Sequence, residues 1–185
     1  MIILTDIDDT ILQFADGFQK WVISKGYDMQ GHVRDMPIEA AIPCTRTEAE
    51  ELIVEFSLSE EMANLEPEVC AVSVLPVLRE KGYEFIAISS CVNSDLVMDY
   101  RIRNIQKAFG FEFKKIHLVG LGESKESFLK QYDHAVWVED NAKHSEVGAS
   151  MGHRTFLLDR TYNRDFHNDG VTRVNDWHEI MKILE

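Results

Sequence analysis

The chain has 185 residues, enough for one domain of ordinary size carrying an insertion and for a substantial buried core. Its 32 acidic against 19 basic residues give a formal charge of -13, which opposes a phosphate-neutralising face for long nucleic acid and leaves room only for local positive pockets. Cys44, Cys70 and Cys91, odd in number and without a CxxC pair, indicate neither a disulfide framework nor a zinc site and suit a reducing cytoplasm.

The first apolar run starts at residue 2, leaving no room for a signal peptide, and no stretch approaches the ~20 apolar residues that span a bilayer. The expectation is an intracellular protein away from the membrane. That first run is a strand, and it delivers Asp6 and Asp8 to one spot, because residues two apart on a strand share a side while Ile7 turns into the core. At ~4 Å and an effective dielectric near 20, two carboxylates repel by roughly 4 kcal/mol, so a cation or a shared proton belongs there.

Next, Phe14, Phe18, Trp21 and Val22 recur at helical spacing up to Gly26. Residues 27–44 are irregular, with Gly31, Pro37 and Pro43; residues 45–56 and 59–65 read as helices, and Pro67 marks the return. The aromatic spacing is that of ordinary packing, with room for one or two rings to face a ligand. From there the chain alternates: helix 69–81, strand 84–88, helix 95–109, strand 115–119, helix 124–131, strand 135–138, helix 142–151, strand 154–158 and helix 176–184. Such alternation predicts an α/β fold, a doubly wound Rossmann-like parallel sheet, with residues 1–12 and 68–185 as the core and 13–67 as a small helical insertion. No repeat, low-complexity tract or flexible linker interrupts it.

Ligands of such sheets bind beyond the carboxyl ends of the strands. The second strand runs into Ser89-Ser90, whose hydroxyls and backbone N–H groups suit a phosphoryl oxygen. The fourth runs into Glu139-Asp140-Asn141, a second acidic group brought from far along the chain, and carboxylate oxygens are what magnesium prefers. Lys125 opens a predicted helix fifteen residues before Asp140, and Arg101 and Lys107 lie on the helix after Ser90. The seven histidines show neither HxH nor HExxH spacing and read as surface or packing residues.

The motif Asp6-Ile7-Asp8-Asp9-Thr10 behind a hydrophobic strand resembles motif I of the haloacid dehalogenase (HAD) superfamily of phosphotransferases. In order after it, Ser89 resembles motif II, Lys125 motif III, the lysine that offsets the gathered negative charge, with Arg101 and Lys107 as alternatives for it, and Glu139-Asp140 the acidic motif IV. The resemblance implies that Asp6 attacks phosphorus to give an aspartyl-phosphate, and that Asp8 protonates the leaving oxygen and then activates the hydrolytic water. It implies that Ser89, Ser90 and Lys125 bind the phosphoryl oxygens. It also implies Mg2+ as cofactor, held by Asp6, Asp140 and the backbone carbonyl of Asp8, with Glu139 acting directly or through water. The insertion between motifs I and II corresponds to what the superfamily calls a C1 cap, which selects the substrate.

Within the superfamily the chain looks most like the 5'(3')-deoxyribonucleotidase branch. The resemblance is carried by the small cap, the 56–67 return, paired Glu139-Asp140 and the Tyr162-Asn163-Arg164 segment. It implies a small phosphorylated substrate, a (deoxy)nucleoside monophosphate. Alternatives are a phosphatase for a sugar phosphate or other small phosphomonoester, a polynucleotide 3'-phosphatase, and a non-enzymatic phospho-acceptor or binding relic of the fold. The branch departs here in having Glu139 where an aspartate is usual and in lacking a Thr-Ser dipeptide at motif II.

Overall fold

A computed structural model describes residues 1–185. Six strands, β1 (Ile2–Thr5), β2 (Glu84–Ser90), β3 (Lys115–Val119), β4 (Val136–Glu139), β5 (Arg154–Leu158) and β6 (Val171–Val174), form one sheet in the order β3-β2-β1-β4-β5-β6. Every pairing is parallel. The chain therefore builds outward from β1 to β3, crosses back, and builds outward again from β4. Its winding reverses between β1 and β4, which is where a crevice opens at the carboxyl edge of such sheets.

Around the sheet lie α1 (Phe14–Ser24), α2 (Ile38–Ala41), α3 (Arg46–Ser57), α4 (Val69–Glu80), α5 (Asp95–Phe109), α6 (Glu126–Leu129), α7 (Ala142–Ser150) and α8 (Trp177–Leu184). A parallel sheet must bury both faces. Ile3, Phe85, Val136, Val138 and Phe156 point into a cluster of 30 buried residues shared with α4, α5, α8 and the insertion. Leu4, Ile86, Ile88, Val119 and Trp137 point the other way, into a cluster of 7 that includes Leu129 of α6. Close seating of α7 on that second face needs Gly148, since a Cβ there would come within 2.2 Å of Trp137 Cδ1. Helix ends follow local chemistry: Ser94 accepts from Val97 N to start α5, and Gly110, at φ +74°, stops it in the left-handed conformation.

The insertion leaves and re-enters through adjacent backbone. Gln13 N donates to Glu66 O (2.8 Å) and Glu68 N to Ile11 O (2.9 Å). Phe14, Phe18, Trp21 and Phe56 form one aromatic cluster, with Phe14 and Phe56 rings 5.3 Å apart edge-on and Phe18 and Phe56 5.5 Å apart. Phe18, Trp21 and Phe56 belong to the same buried cluster as the sheet, so the insertion has no separate hydrophobic nucleus.

Four local expectations are corrected. The helix expected over 59–65 is a single 3-10 turn, Met62–Asn64: Asn104 Nδ2 takes the Met62 carbonyl (2.8 Å), and Leu65 is already extended ahead of Pro67. The helix expected over 124–131 shrinks to α6, with Lys125 as its N-cap. Residues 38–41, read as irregular, make the short α2 behind Pro37. Strand β6 escaped the pattern because only Val174 of its four residues is buried and its pairing with β5 is entirely tertiary. No helix is long and apolar enough to cross a membrane.

Candidate active site

Beyond Thr5 the chain leaves the sheet in a tight loop. The carbonyl of Ile7 accepts from Ile11 N (2.9 Å) and Leu12 N (3.0 Å), and Asp9 N donates to Leu12 O (2.7 Å). Ile7 is fully buried in the core, so Asp6 and Asp8 both turn to the crevice side, as the alternation predicts. Asp9 sits at φ +54°, a left-handed position that costs a non-glycine residue on the order of 1 kcal/mol. Neighbours hold it there. Arg160 donates to the Asp9 carbonyl through Nη2 (2.6 Å) and Nε (3.2 Å), and Trp177 Nε1 donates to the Thr10 carbonyl (2.9 Å).

Two buried cations meet the acids. Lys125, 1 % exposed, donates to Asp6 Oδ1 (2.6 Å) and Glu139 Oε2 (2.9 Å). Burial alone would strip its proton, but the Asp6 and Glu139 charges more than offset this and hold its pKa above the usual lysine range. Arg101, with no exposed side-chain surface, donates to Asp8 Oδ2 (2.5 Å). Burial pushes the Asp8 carboxyl up to about 6 against the opposing pull of Arg101. Glu139 is raised by burial as well; its Oε1 accepts from Asp140 N (3.3 Å) and Asn141 N (3.0 Å), so both its oxygens are engaged. Lys125 thus reaches the site and so does Arg101, whereas Lys107 is exposed near the end of α5 and takes no part.

Several buried polar atoms at this edge have no partner in the protein: Ser89 Oγ, Ser90 Oγ, Arg101 Nε, Arg101 Nη1 and Asp8 Oδ1. A buried polar group left unsatisfied costs about 1–3 kcal/mol, so the Ser and Arg donors gathered here, with the Asp8 oxygen beside them as acceptor or, when protonated, donor, describe a receptor for an oxygen-rich anion. Beside them, Asp6, Glu139 and Asp140 each present an oxygen within 4.8 Å of the others. An all-oxygen donor set fits a hard dication such as Mg2+ or Ca2+.

Residues outside the four motifs complete the site around Asp140 and Asp9. Asp140, its pKa raised by burial, accepts from Thr10 Oγ1 (3.3 Å) and from the Tyr162 hydroxyl, and its carbonyl accepts from Asn163 Nδ2 (2.7 Å). Tyr162 and Asn163 stood out only in the segment after the last predicted strand. Arg34, in the irregular stretch, uses Nη2 to bridge Asp9 (3.2 Å), Asp16 (3.1 Å) and Glu68 (3.1 Å). Burial pushes the Asp9 carboxyl up to about 8, with Asp140 adding to the rise.

No family model and no curated protein sequence matches the chain. Solved structures do. A predicted phosphatase from Clostridium acetobutylicum superposes with a TM-score of 0.67 at 13 % identity, covering 99 % of this chain and 97 % of that one. CbbY from Rhodobacter sphaeroides, in complex with phosphate, gives 0.62 at 15 % identity over 97 % and 95 %. The D,D-heptose 1,7-bisphosphate phosphatase from B. bronchiseptica, complexed with magnesium and phosphate, gives 0.58 at 11 % identity over 99 % and 97 %. The α/β fold of this chain, a doubly wound parallel sheet, is the one these phosphatases share.

Proposed function

We propose that the chain is a magnesium-dependent phosphomonoester hydrolase that works through an aspartyl-phosphate on Asp6. The observation that carries this reading is the unpartnered donor set of Ser89, Ser90 and Arg101 gathered beside the Asp6 and Asp8 carboxyls. Asp6 attacks phosphorus in line; the new O–P bond forms as the ester O–P bond breaks, and Asp8 gives its proton to the leaving oxygen. Asp8 then takes a proton from the water that hydrolyses the aspartyl-phosphate, releasing inorganic phosphate and restoring Asp6. A carboxyl that burial lifts to about 6 suits that alternation, being close to balance between acid and base near neutral pH.

Ser89, Ser90 and Lys125 clamp the equatorial oxygens, and Arg101 holds the Asp8 side chain in place. Asp6, Asp140 and the Asp8 carbonyl are the residues that would hold Mg2+, and the ion supplies charge neutralisation for the phosphoryl group. Glu139, whose oxygens are taken by Lys125 and by backbone amides, positions Lys125 and the 139–141 turn.

We assign residues 13–67 the role of a cap that selects a small substrate. The Tyr162-Asn163-Arg164 resemblance favours a nucleoside monophosphate. A second reading, a sugar phosphate, is favoured by the aromatic stripe, because Phe18 and Trp21 are buried against Phe56 and only the half-buried Phe14 keeps any exposed face. It is also favoured by the likeness to CbbY, which has been solved in complex with xylulose-(1,5)bisphosphate. The test is magnesium-dependent phosphate release from 5'- and 3'-nucleoside monophosphates, sugar phosphates and a 3'-phosphorylated oligonucleotide, with Asp6→Asn as control. Nucleotide turnover that vanishes in the variant supports the first reading, and sugar phosphate turnover the second. Oligonucleotide turnover would replace both with a polynucleotide 3'-phosphatase, and no Asp6-dependent release from any ester would overturn the hydrolase.

A further inference from the structure

We infer that the chain carries a second metal site, for Zn2+, built from Cys70 of α4 with Asp176 and His178 at the start of α8. Residues more than a hundred positions apart in sequence meet here, which is why cysteine and histidine spacing carries no zinc signature. One ligand atom of each lies within 4.8 Å of the other two.

The neighbouring hydrogen bonds are compatible with a tautomer that turns a lone pair toward Asp176. Ser73 Oγ donates to the Cys70 carbonyl (3.0 Å), which uses its only proton. With that proton so placed, the same oxygen accepts from His178 Nε2 (3.0 Å), the tautomer in which Nδ1 carries the lone pair and is free to ligate. Nδ1 faces Asp176 Oδ1 at 3.8 Å. Asp176 Oδ1 also caps α8 by accepting from Glu179 N (3.1 Å), and in this tautomer its remaining lone pair and that of Nδ1 face one another with room for a cation between them. Two ligands of a tetrahedral zinc, each at about 2.0–2.1 Å, lie roughly 3.3 Å apart, so a closure of a few tenths of an ångström brings these into coordination.

The donor set selects the metal. Thiolate and imidazole are softer than the all-oxygen set at Asp6, Glu139 and Asp140, and favour zinc over magnesium. Thiolate and carboxylate together neutralise the dication, so the site carries no net charge into the helix termini. Ser73, fixing the ring through Nε2, plays the outer-shell part that metal-bound histidines ordinarily require. A cavity of about 160 Å³, which Cys70 and Asp176 line together with Thr10, Glu68 and Arg160 but which His178 does not reach, gives entry from one side. Burial, with the Asp176 charge beside it, pushes the Cys70 thiol up, so metal binding would release its proton.

The site would staple α4 to α8 beside the loop that bears Asp8, since Trp177, between the two α8 ligands, holds the Thr10 carbonyl. It stands independently of the hydrolase reading. The test is titration of the full chain with Co2+ as a spectroscopic stand-in, in excess Mg2+, followed by Zn2+. A thiolate-to-cobalt charge-transfer band that Zn2+ removes is expected, together with a Zn2+-dependent rise in Tm. Cys70→Ser should lose the band, His178→Ala should weaken binding at least ~10-fold and Ser73→Ala by about 10-fold, while Asp6→Asn should change nothing. His178 is exposed, so its variant keeps the fold and decides the matter if Cys70→Ser does not. Absence of the band in the wild type, or the same zinc affinity in His178→Ala, overturns the inference; so does a band that survives Cys70→Ser.

Discussion

The carboxyl edge of the sheet and the insertion at 13–67 are stabilised in opposite ways. At the edge, acids and bases are buried in mutual compensation: Lys125 between Asp6 and Glu139, Arg101 against Asp8. In the insertion the buried residues are rings and aliphatic chains that merge with the main core, and charges such as the Lys25–Glu55 pair stay near the surface, Arg34 excepted, which turns toward the edge and Asp9. Buried charge is costly to assemble and contributes little net stability, whereas apolar burial contributes stability with no chemistry attached. The contrast teaches that the edge is organised for reactivity and the insertion for shape, and substitutions in the two regions should divide along that line.

The largest effect belongs to Asp6→Asn. Removing the nucleophile should lower phosphate release by ~10⁴-fold or more, since members of a catalytic unit fail together. Far-UV circular dichroism should stay unchanged. Loss of less than ~10-fold would mean that the edge is not the reacting site and would dissolve the contrast.

Lys125→Met and Phe56→Ala form a matched pair that sharpens it. The first leaves Asp6 and Glu139 buried against no counter-charge, and the second empties the ring position where Phe14, Phe18 and Trp21 meet. Each should lose about 3–5 kcal/mol in urea unfolding. Their activities should part: Lys125→Met abolishes turnover, while Phe56→Ala keeps turnover per folded molecule within a few fold. Equal activity losses would show that the insertion tunes the chemistry itself rather than the shape of the access.

That pair also marks what sequence can reveal. Asp6 and Asp8 were legible because a buried strand of period two ends in alternating acids, and Ser89, Glu139 and Asp140 because they close other strands of the same kind. Lys125 was legible from its place before the acidic pair, and the structure brings it to Asp6. Arg101 stayed among alternatives because its reach to Asp8 depends on how α5 crosses the sheet, which no local pattern encodes. Tyr162 on Asp140, Arg160 on Asp9 and Arg34 among three carboxylates lie in irregular segments, where neither helical nor strand period exists to read. Strand β6 was lost for a related reason: an edge strand with one buried residue has no face to alternate.

The smallest effect concerns acid stability, and it separates two signs of pH dependence that the edge superimposes. Burial holds the His144 imidazole down to about 4, with the Lys125 charge adding to the depression. Its unfolded value is about 6.5, so between pH 6.5 and 4 the unfolded chain binds more protons there, and the stability from His144 is whole above 6.5 and lost as pH falls through that window. Asp8 and Asp9 run the other way. Burial lifts them to about 6 and about 8, so the native state holds their protons longer, and their contribution weakens as pH rises from 3.8 through those values. A urea-unfolding series of the wild type alone would show these slopes cancelling in part. His144→Gln removes only the first, so the difference between variant and wild type should grow in the variant's favour as pH drops below 6.5, reaching about 1 kcal/mol near pH 5.5. A difference that stays flat across that range would mean that His144 is protonated in the native state, and that the positive charge of Lys125 is screened from α7.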